Sequence, residues 1–421
     1  MQCSIYILMD NTFATSAPDI ASPEKPRYEV ADVFNQYGDE YLKKKNKTSI
    51  SQRKVMGAIK ACRTAVLGGH VEECDNCGHQ QISYNSCRNR HCPKCQGLTR
   101  ERWVESRLSE LLPIGYFHNV FTLPHVIHKI YYGNEKIIYS ILFKAVSETL
   151  NLFAAKLLGG RLSIITILHT WGQLMQRHIH LHCIISGGAM SFDGKRWISS
   201  LDGYLFDVKE LSKEFQNRYC KYLEKAYTKG ELLFRGEASS LAFRKNFESF
   251  LADLRSNHWV VYSKKPFASP ELVVEYIGRY THRVAISNSR IVSIDDGMVK
   301  FKYRDYRDDG KQKEMEFSAE EFIDRFLDHV LPSGFVKIRY YGFLAGRNRK
   351  ANIQRCKEIL GDVDGLEERQ GETYAEILFR LTGVDIFLCQ ECGEGHMNHK
   401  RDLMPCHRQR LNLQARILHA A

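Results

Sequence analysis

The sequence predicts an α+β protein in which helices pack on a mostly antiparallel sheet, preceded by a helical module with a zinc ribbon. The order in which strand and helix patterns follow one another from residue 116 onwards favours this class. Hydrophobic residues make up 43% of the 421 residues, which is enough for real cores. Cysteines with the C-x2-C spacing of zinc ribbons precede the strand-rich region.

Apolar periodicity and helix-stop residues define the elements in order. Residues 1–27 contain three prolines and are expected to form a flexible arm, and residues 28–68 are expected to be helical up to Gly68 and Gly69. Asp296 and Gly297 predict a hairpin turn, and Pro270 is expected to start a helix. Further helices are predicted at 99–112, 135–158, 208–228, 241–254, 318–330 and 347–360, and strands at 117–123, 163–169, 178–186 and 259–263.

Composition indicates the partner and the compartment. The chain has 60 Lys and Arg against 49 acidic residues, and a net charge of +11 favours a polyanion such as nucleic acid. Residues 1–9 lack the basic start of a signal peptide, and no run is expected to cross a membrane. We therefore expect a cytoplasmic protein. Eight of its 13 cysteines fall into two compact clusters, which are expected to bind zinc rather than form disulfides.

The first cysteine cluster predicts a zinc site with four thiolate ligands. The favoured ligands are Cys74, Cys77, Cys92 and Cys95, with His79, Cys87 and His91 as spare candidates. Arg88 and Arg90 lie inside this basic segment and are expected to contact DNA. A purely structural zinc module is the alternative.

A second zinc site is possible near residue 400. Cys389 and Cys392 form one clear knuckle, but the remaining ligands are ambiguous. The candidate set is Cys389, Cys392, His399 and Cys406, with His396 and His407 nearby.

His178, His180 and His182 alternate along a predicted strand and should share one face. His180 and His182 are the expected metal-binding pair, and the third ligand is expected among Gln173, Gln176 and His178. A substrate phosphate would supply the oxygen ligands that Mg²⁺ or Mn²⁺ prefers. A structural histidine cluster or a zinc site is the alternative.

Tyr276 and Tyr280 lie four residues apart on a predicted helix, so both phenols should face the same side. Such a pair usually indicates core packing. The cationic residues beside this pair favour a functional role instead, because cationic groups stabilise a phenolate and bind phosphate. These residues are Arg279, His282 and Arg283.

These segments together resemble the rolling-circle transposases of the insertion sequence ninety-one family. Residues 176–184 (QRHIHLHCI) resemble the family's His-hydrophobe-His segment, and residues 275–285 (EYIGRYTHRVA) resemble its two-tyrosine helix. Residues 86–95 resemble its amino-terminal zinc domain and residues 339–344 a later segment. The likeness extends from about residue 30 to about residue 390 in the family's order.

The resemblance implies a five-stranded antiparallel HUH-endonuclease sheet with the histidines on a central strand. It also implies that Tyr276 and Tyr280 cut single-stranded DNA at element ends through a 5′-phosphotyrosine, with Mg²⁺ or Mn²⁺ and Zn²⁺ but no nucleotide cofactor. Arg279 and Arg283 would bind DNA. A plasmid relaxase or replication initiator with the same chemistry, and a zinc-ribbon DNA-binding regulator without chemistry, are the alternatives.

The implied domain organisation has five parts. They are a flexible arm at 1–27, a helical zinc-binding DNA-recognition domain at 28–112, an HUH nuclease domain with the two-tyrosine helix at 113–290, an α/β extension at 291–385, and a Cys/His-rich tail at 386–421.

Overall fold

The computed structural model describes residues 26–45, 48–201, 203–264, 278, 281, 284–361 and 373–406. The α-helices of these ranges are α1 Val30–Lys44, α2 Ile50–Ala61, α3 Gln96–Leu108, α4 Glu135–Phe153, α5 Val208–Thr228, α6 Arg244–Ser256, α7 Ala319–Leu327, α8 Arg349–Leu360 and α9 Tyr374–Thr382. The strands are β1 Gly69–Cys74, β2 Gln80–Tyr84, β3 Tyr116–Thr122, β4 Gly160–Arg161, β5 Ser163–Trp171, β6 Arg177–Ser186, β7 Gly188–Ser191, β8 Trp197–Ser199, β9 Val260–Lys264, β10 Ile291–Asp295, β11 Met298–Asp305, β12 Lys311–Ser318, β13 Ile338–Gly342 and β14 Met397–Leu403.

A five-stranded sheet forms the centre of the fold, with the strand order β13-β5-β6-β3-β9. Every neighbouring pair in it is antiparallel. The central strand is β6, which carries the His-hydrophobe-His segment. The α+β class and the five-stranded antiparallel sheet are therefore confirmed.

The two faces of β6 have different neighbours because side chains alternate along a strand. Ile179, Leu181, Cys183 and Ile185 point into a core shared with helices α4, α5 and α6. His180, His182 and Ile184 occupy the opposite face. Ile184 packs there with Ile167 and Tyr116, and Trp103 of α3 covers this apolar group.

Helix α4 is the main apolar support of the sheet. With the π turn at Ala154–Leu158 it forms a helix of 24 residues, which has the length and apolar character of a membrane span. However, 67% of its most apolar stretch is buried inside the protein. The helix therefore has the surroundings of a core helix. Its length and apolar composition are nevertheless those of a membrane span, which the sequence analysis did not expect in this chain.

A second core joins two distant parts of the chain. Phe34 of α1 and Met56 of α2 pack with Phe301 of β11 and Phe322 of α7. The strands β10, β11 and β12 form an antiparallel sheet beside these helices. Its first hairpin turns at Asp296 and Gly297, which have positive φ values of 47° and 76°, as the sequence predicts. This core extends across the predicted boundaries at 112/113 and 290/291.

The segment predicted as a separate tail pairs with the amino-terminal zinc module. Strand β14 pairs with β1 along its length, and β1 also pairs with β2. A further small sheet has the order β4-β7-β8. The predicted helix at 28–68 is two helices, because Ser49 starts α2 with a capping box completed by Gln52.

Candidate functional site

Three histidines on two neighbouring strands form a compact cluster. His169, His180 and His182 each offer a ring nitrogen, and these nitrogens lie within 4.8 Å of one another. All three residues are buried, with exposed fractions of 8% or less. His169 joins the pair because it lies directly opposite His180 in the β5–β6 register.

The inner nitrogens of the pair face each other. His180 Nε2 and His182 Nε2 are 3.2 Å apart. Two nitrogens that bind one ion at about 2.1 Å and roughly a right angle would be about 3 Å apart. The arrangement therefore fits a shared cation.

The outer nitrogens of the pair are held by other groups. His180 Nδ1 lies 2.8 Å from the carbonyl oxygen of His178. His182 Nδ1 lies 2.9 Å from Nε2 of His118, a residue of β3 that the sequence pattern does not single out. Such outer partners fix the tautomer and orientation of ligating imidazoles. Burial lowers the pKa of His118 to about 3 and that of His180 well below 6.5, which favours the neutral form of both rings.

The predicted third ligands lie outside this cluster. The side-chain amide of Gln173 donates to the hydroxyl of Tyr306. The ring of His178 is 4.8 Å from that of His180, and its carbonyl serves as a hydrogen-bond acceptor. Because the hairpin register pairs His169 with His180, His169 takes the place expected for Gln173 or His178.

Eight of the cysteines in the described ranges form two clusters of four, and the composition of each differs from the predicted ligand set. The first contains Cys62, Cys87, Cys92 and Cys95. The Sγ atoms of Cys62 and Cys87 lie 3.5 and 3.6 Å from Sγ of Cys95. Cys62 follows the last residue of α2 and Cys95 precedes the first residue of α3, so a bound ion would join these helix ends.

The second cluster contains Cys74, Cys77, Cys389 and Cys392. The predicted set of Cys74, Cys77, Cys92 and Cys95 is therefore divided between two clusters. Of the second predicted set, His399 instead lies 3.0 Å from Asp402, and Cys406 is exposed outside the cluster. Contacts between residues more than 300 positions apart cannot be read from local spacing.

The predicted DNA-binding arginines have different surroundings. Arg88 is exposed and has a left-handed backbone with φ of 52°. Arg90 instead donates to the carbonyl oxygens of Pro332 and Phe335. Its guanidinium therefore fastens the zinc module to the loop before β13, and its contact with DNA stays a prediction.

The predicted catalytic residues Tyr276 and Tyr280, with Arg279 and Arg283, lie outside the described residues. Gly278 in the same motif is described. A Cβ atom at this position would be 2.4 Å from Cγ2 of Val104, so the backbone at Gly278 packs directly on helix α3.

Comparisons with known proteins agree with this geometry. The family profile described as "Transposase zinc-binding domain" matches residues 33–123, and the profile described as "Putative transposase" matches residues 163–352. The chain is similar to "Putative transposase y4qJ" of Sinorhizobium fredii, with 48% identity over 88% of this chain and 94% of that protein. It is 28% identical to "Transposase for insertion sequence element IS801" of Pseudomonas savastanoi pv. phaseolicola, over 79% of this chain and 80% of that protein. No solved structure matches the chain significantly. The chain therefore belongs to the insertion sequence ninety-one (IS91) family of transposases with an amino-terminal zinc-binding domain.

Proposed function

We propose that this transposase cuts single-stranded DNA at the ends of its element through a 5′-phosphotyrosine and transfers the strand in a rolling-circle-like reaction. The observation that carries the proposal is the group of three buried imidazoles at the centre of an antiparallel sheet. A strand-cleaving enzyme of the HUH class needs such a group, whereas a DNA-binding regulator without chemistry does not.

The cluster supports a catalytic cation site. His169, His180 and His182 would bind Mg²⁺ or Mn²⁺, leaving coordination positions for phosphate oxygens. The bound ion would stabilise the negative charge that develops on the scissile phosphate. His118 and the carbonyl of His178 hold two of the rings in the orientation that this requires.

Tyr276 and Tyr280 are the proposed nucleophiles. Gly278 between them packs on Val104 of α3, and Trp103 of the same helix packs on the face of the sheet that carries the histidines. This contact supports delivery of the two-tyrosine segment to the histidine face. Arg279 and Arg283 would bind the phosphates of the strand, and Arg88 would contribute from the zinc module.

The proposed step is an exchange of one phosphodiester for another. The phenolate oxygen of tyrosine attacks the phosphorus, a bond from oxygen to phosphorus forms, and the bond to the 3′-oxygen breaks. The 3′-oxygen leaves with the electron pair and takes a proton, which gives a free 3′-hydroxyl. Because the energy of the bond stays in the phosphotyrosine, rejoining needs no nucleotide cofactor. A second tyrosine allows one strand to be held while another is attacked.

Covalent capture tests the nucleophile. Purified protein with Mn²⁺ and a single-stranded oligonucleotide from the element end should give an adduct that survives denaturing electrophoresis. Replacing both Tyr276 and Tyr280 by Phe should abolish the adduct, with Tyr280→Phe alone expected to weaken the first nick more than Tyr276→Phe. Tyr204→Phe is the matched control, because Tyr204 is exposed and lies far in sequence from Tyr276 and Tyr280. Cleaved ends without a covalent species would show that the nucleophile assignment is wrong.

The histidines are tested by separating cleavage from binding. His180→Ala and His182→Ala should each abolish cleavage and leave oligonucleotide binding close to that of the unaltered protein, because binding depends mainly on distributed cations. Nicking at the unaltered rate by either variant would refute the metal-site assignment. A relaxase or replication initiator would give the same results in both assays, and the family relationship favours transposition.

A further inference from the structure

Two short segments far apart in the chain have the same sequence pattern and the same local fold. Cys74–Cys77 is followed by Gly78, and Cys389–Cys392 is followed by Gly393. Both glycines have a left-handed φ, 72° and 71°. The amide of each glycine donates to the carbonyl of the first cysteine of its segment, at 3.1 Å for Gly78 and 2.9 Å for Gly393. Each segment is therefore a zinc knuckle, and the chain contains a matched pair.

The two knuckles face each other at the distances of a tetrahedral thiolate site. Sγ of Cys74 lies 3.7 Å from Sγ of Cys392, and Sγ of Cys77 lies 3.7 Å from Sγ of Cys389. A tetrahedron with Zn–S bonds of about 2.3 Å has edges of about 3.8 Å. The four sulfur atoms thus already have the spacing that one zinc ion imposes.

Backbone amides point at the sulfurs from both sides. The amide of Asn76 lies 3.4 Å from Sγ of Cys74, and the amide of Gly395 lies 3.4 Å from Sγ of Cys392. Hydrogen bonds from backbone amides stabilise a thiolate, so this arrangement suits sulfur atoms that bind a cation.

The residues around the two knuckles allow them to lie close together. A Cβ atom at Gly395 would be 2.4 Å from Sγ of Cys74, so only glycine permits the contact. Asp75 and His396 exchange two hydrogen bonds, one between backbone groups at 3.1 Å and one from the His396 amide to the Asp75 carboxylate at 2.8 Å. Beyond them β14 pairs with β1 as far as Leu403.

We propose that Cys74, Cys77, Cys389 and Cys392 bind a second structural Zn²⁺, which fastens the carboxy-terminal segment 386–403 to the amino-terminal zinc module. This ion is separate from one bound by Cys62, Cys87, Cys92 and Cys95. Cys389 and Cys392 lie beyond both matched family regions, which end at residues 123 and 352. The proposal does not depend on the strand-cleavage chemistry.

The site has a consequence for the zinc module as a whole. Strand β1 is the middle strand of the sheet β14-β1-β2, so loss of β14 would expose one edge of β1. The ion closes a chain loop of more than 300 residues, and the sheet is completed only when the carboxy-terminal segment is fastened. The module that precedes the nuclease sheet is thus completed by residues that follow it.

The amount of zinc bound per full-length chain tests the proposal. If both pairs of cysteines bind one shared ion, removing both pairs should cost no more zinc than removing one. Protein purified without chelator is analysed for metal per chain. The pair Cys74→Ser/Cys77→Ser should lose one zinc, the pair Cys389→Ser/Cys392→Ser should lose one zinc, and the quadruple variant should also lose only one. Loss of two by the quadruple variant, or of none by either pair, would overturn the shared site. Cys406→Ser is the matched control and should lose none.

Two further measurements remain decisive if the serine variants fold poorly. In protein with Cys62→Ser, Co²⁺ should give the intense thiolate charge-transfer absorption of a four-sulfur site, and Cys392→His should keep the ion while weakening that absorption. Absence of the four-sulfur spectrum would contradict the proposal. So would disulfides joining Cys74 to Cys392 or Cys77 to Cys389 in protein purified under reducing conditions, detected by mass spectrometry of peptides.

Discussion

Two imidazoles of the candidate active site, those of His180 and His182, are held by neighbours outside the histidine cluster. His118 is fully buried and its ring stacks on His182 with an interplanar angle of 7°. Its Nε2 atom is the hydrogen-bond partner of His182 Nδ1. When His182 Nε2 binds a cation, its Nδ1 carries the proton and donates to His118, which must therefore be neutral. Burial keeps it so, because it lowers the pKa of His118 to about 3.

The contact between His182 Nδ1 and His118 Nε2 predicts the effect of His118→Phe. The phenyl ring preserves the stacking on His182 but cannot accept its proton, so Mn²⁺ affinity should fall by about 10- to 100-fold. Titration calorimetry of the folded variant measures the change, and a thermal melt checks its fold. Gln173→Ala is the control, because Gln173 instead contacts Tyr306. Equal Mn²⁺ affinity in His118→Phe and the unaltered protein would exclude a positioning role.

At the scale of elements, the helices and strands follow from local patterns. Alternation of histidines with apolar residues identifies β6 as a strand to within one residue of its observed start at Arg177. The same pattern cannot identify His169 as a partner of His180, because that pairing depends on the register of β5 against β6. The register is fixed in turn by the tight loop at 172–176, where the amide of Gly172 donates to the carbonyl of Gln176.

The structure groups the cysteines differently from the predicted ligand sets for a related reason. Knuckles near each other in sequence are expected to share an ion, but the sheet brings Cys74 beside Cys392 instead. The sequence does contain a local feature that distinguishes the two matching knuckles from the segment that ends at Cys95. Gly follows the second cysteine in the segments ending at Cys77 and Cys392, whereas Gln96 follows Cys95. The matching knuckles are the two that the sheet brings together.

Packing between helix α3 and the segment at Gly278 provides a test at this scale. Gly278→Ala would bring a methyl group against Val104, and overpacking of this kind costs about 1–3 kcal/mol. We expect Gly278→Ala to slow oligonucleotide cleavage, and Val104→Ala in the same chain to restore part of the rate by removing the clashing methyl groups. Initial rates of the two single variants and the double variant give the coupling energy between Gly278 and Val104. Additive effects would show that this contact does not position the segment.

At the scale of the whole molecule, the zinc module and the central five-stranded sheet are supported by different cores. Cys92 is completely buried in the core that Phe34 and Phe322 share. The central sheet is supported mainly by α4, α5 and α6 in a separate core. Arg90 links the two parts through the carbonyls of Pro332 and Phe335. The two parts are therefore joined by specific contacts while each keeps apolar support of its own.

This division predicts a localised response to zinc removal. Structural zinc binding contributes on the order of 10 kcal/mol to the fold of a small thiolate site, and this is lost with the ion. After chelation, hydrogen exchange should therefore accelerate in α2, in the first turn of α3 and in β1, while the amides of β3 and β6 stay protected. Peptide-resolved exchange of the full-length protein, with and without chelator, measures both regions at once.

Cys92→Ser should reproduce the response in α2 and α3 without chelator. It should reduce the preference for element-end DNA over random DNA far more than it reduces nicking of a short single strand at saturating concentration. The physical reason is that the recognition module loses its ion while the histidine cluster keeps the core beneath its sheet. Cys406→Ser, outside both clusters, is the control and should leave exchange and end preference unchanged. Equal acceleration in β6 and α2 would mean instead that the molecule unfolds as one cooperative unit, and that zinc binding stabilises the central five-stranded sheet as well.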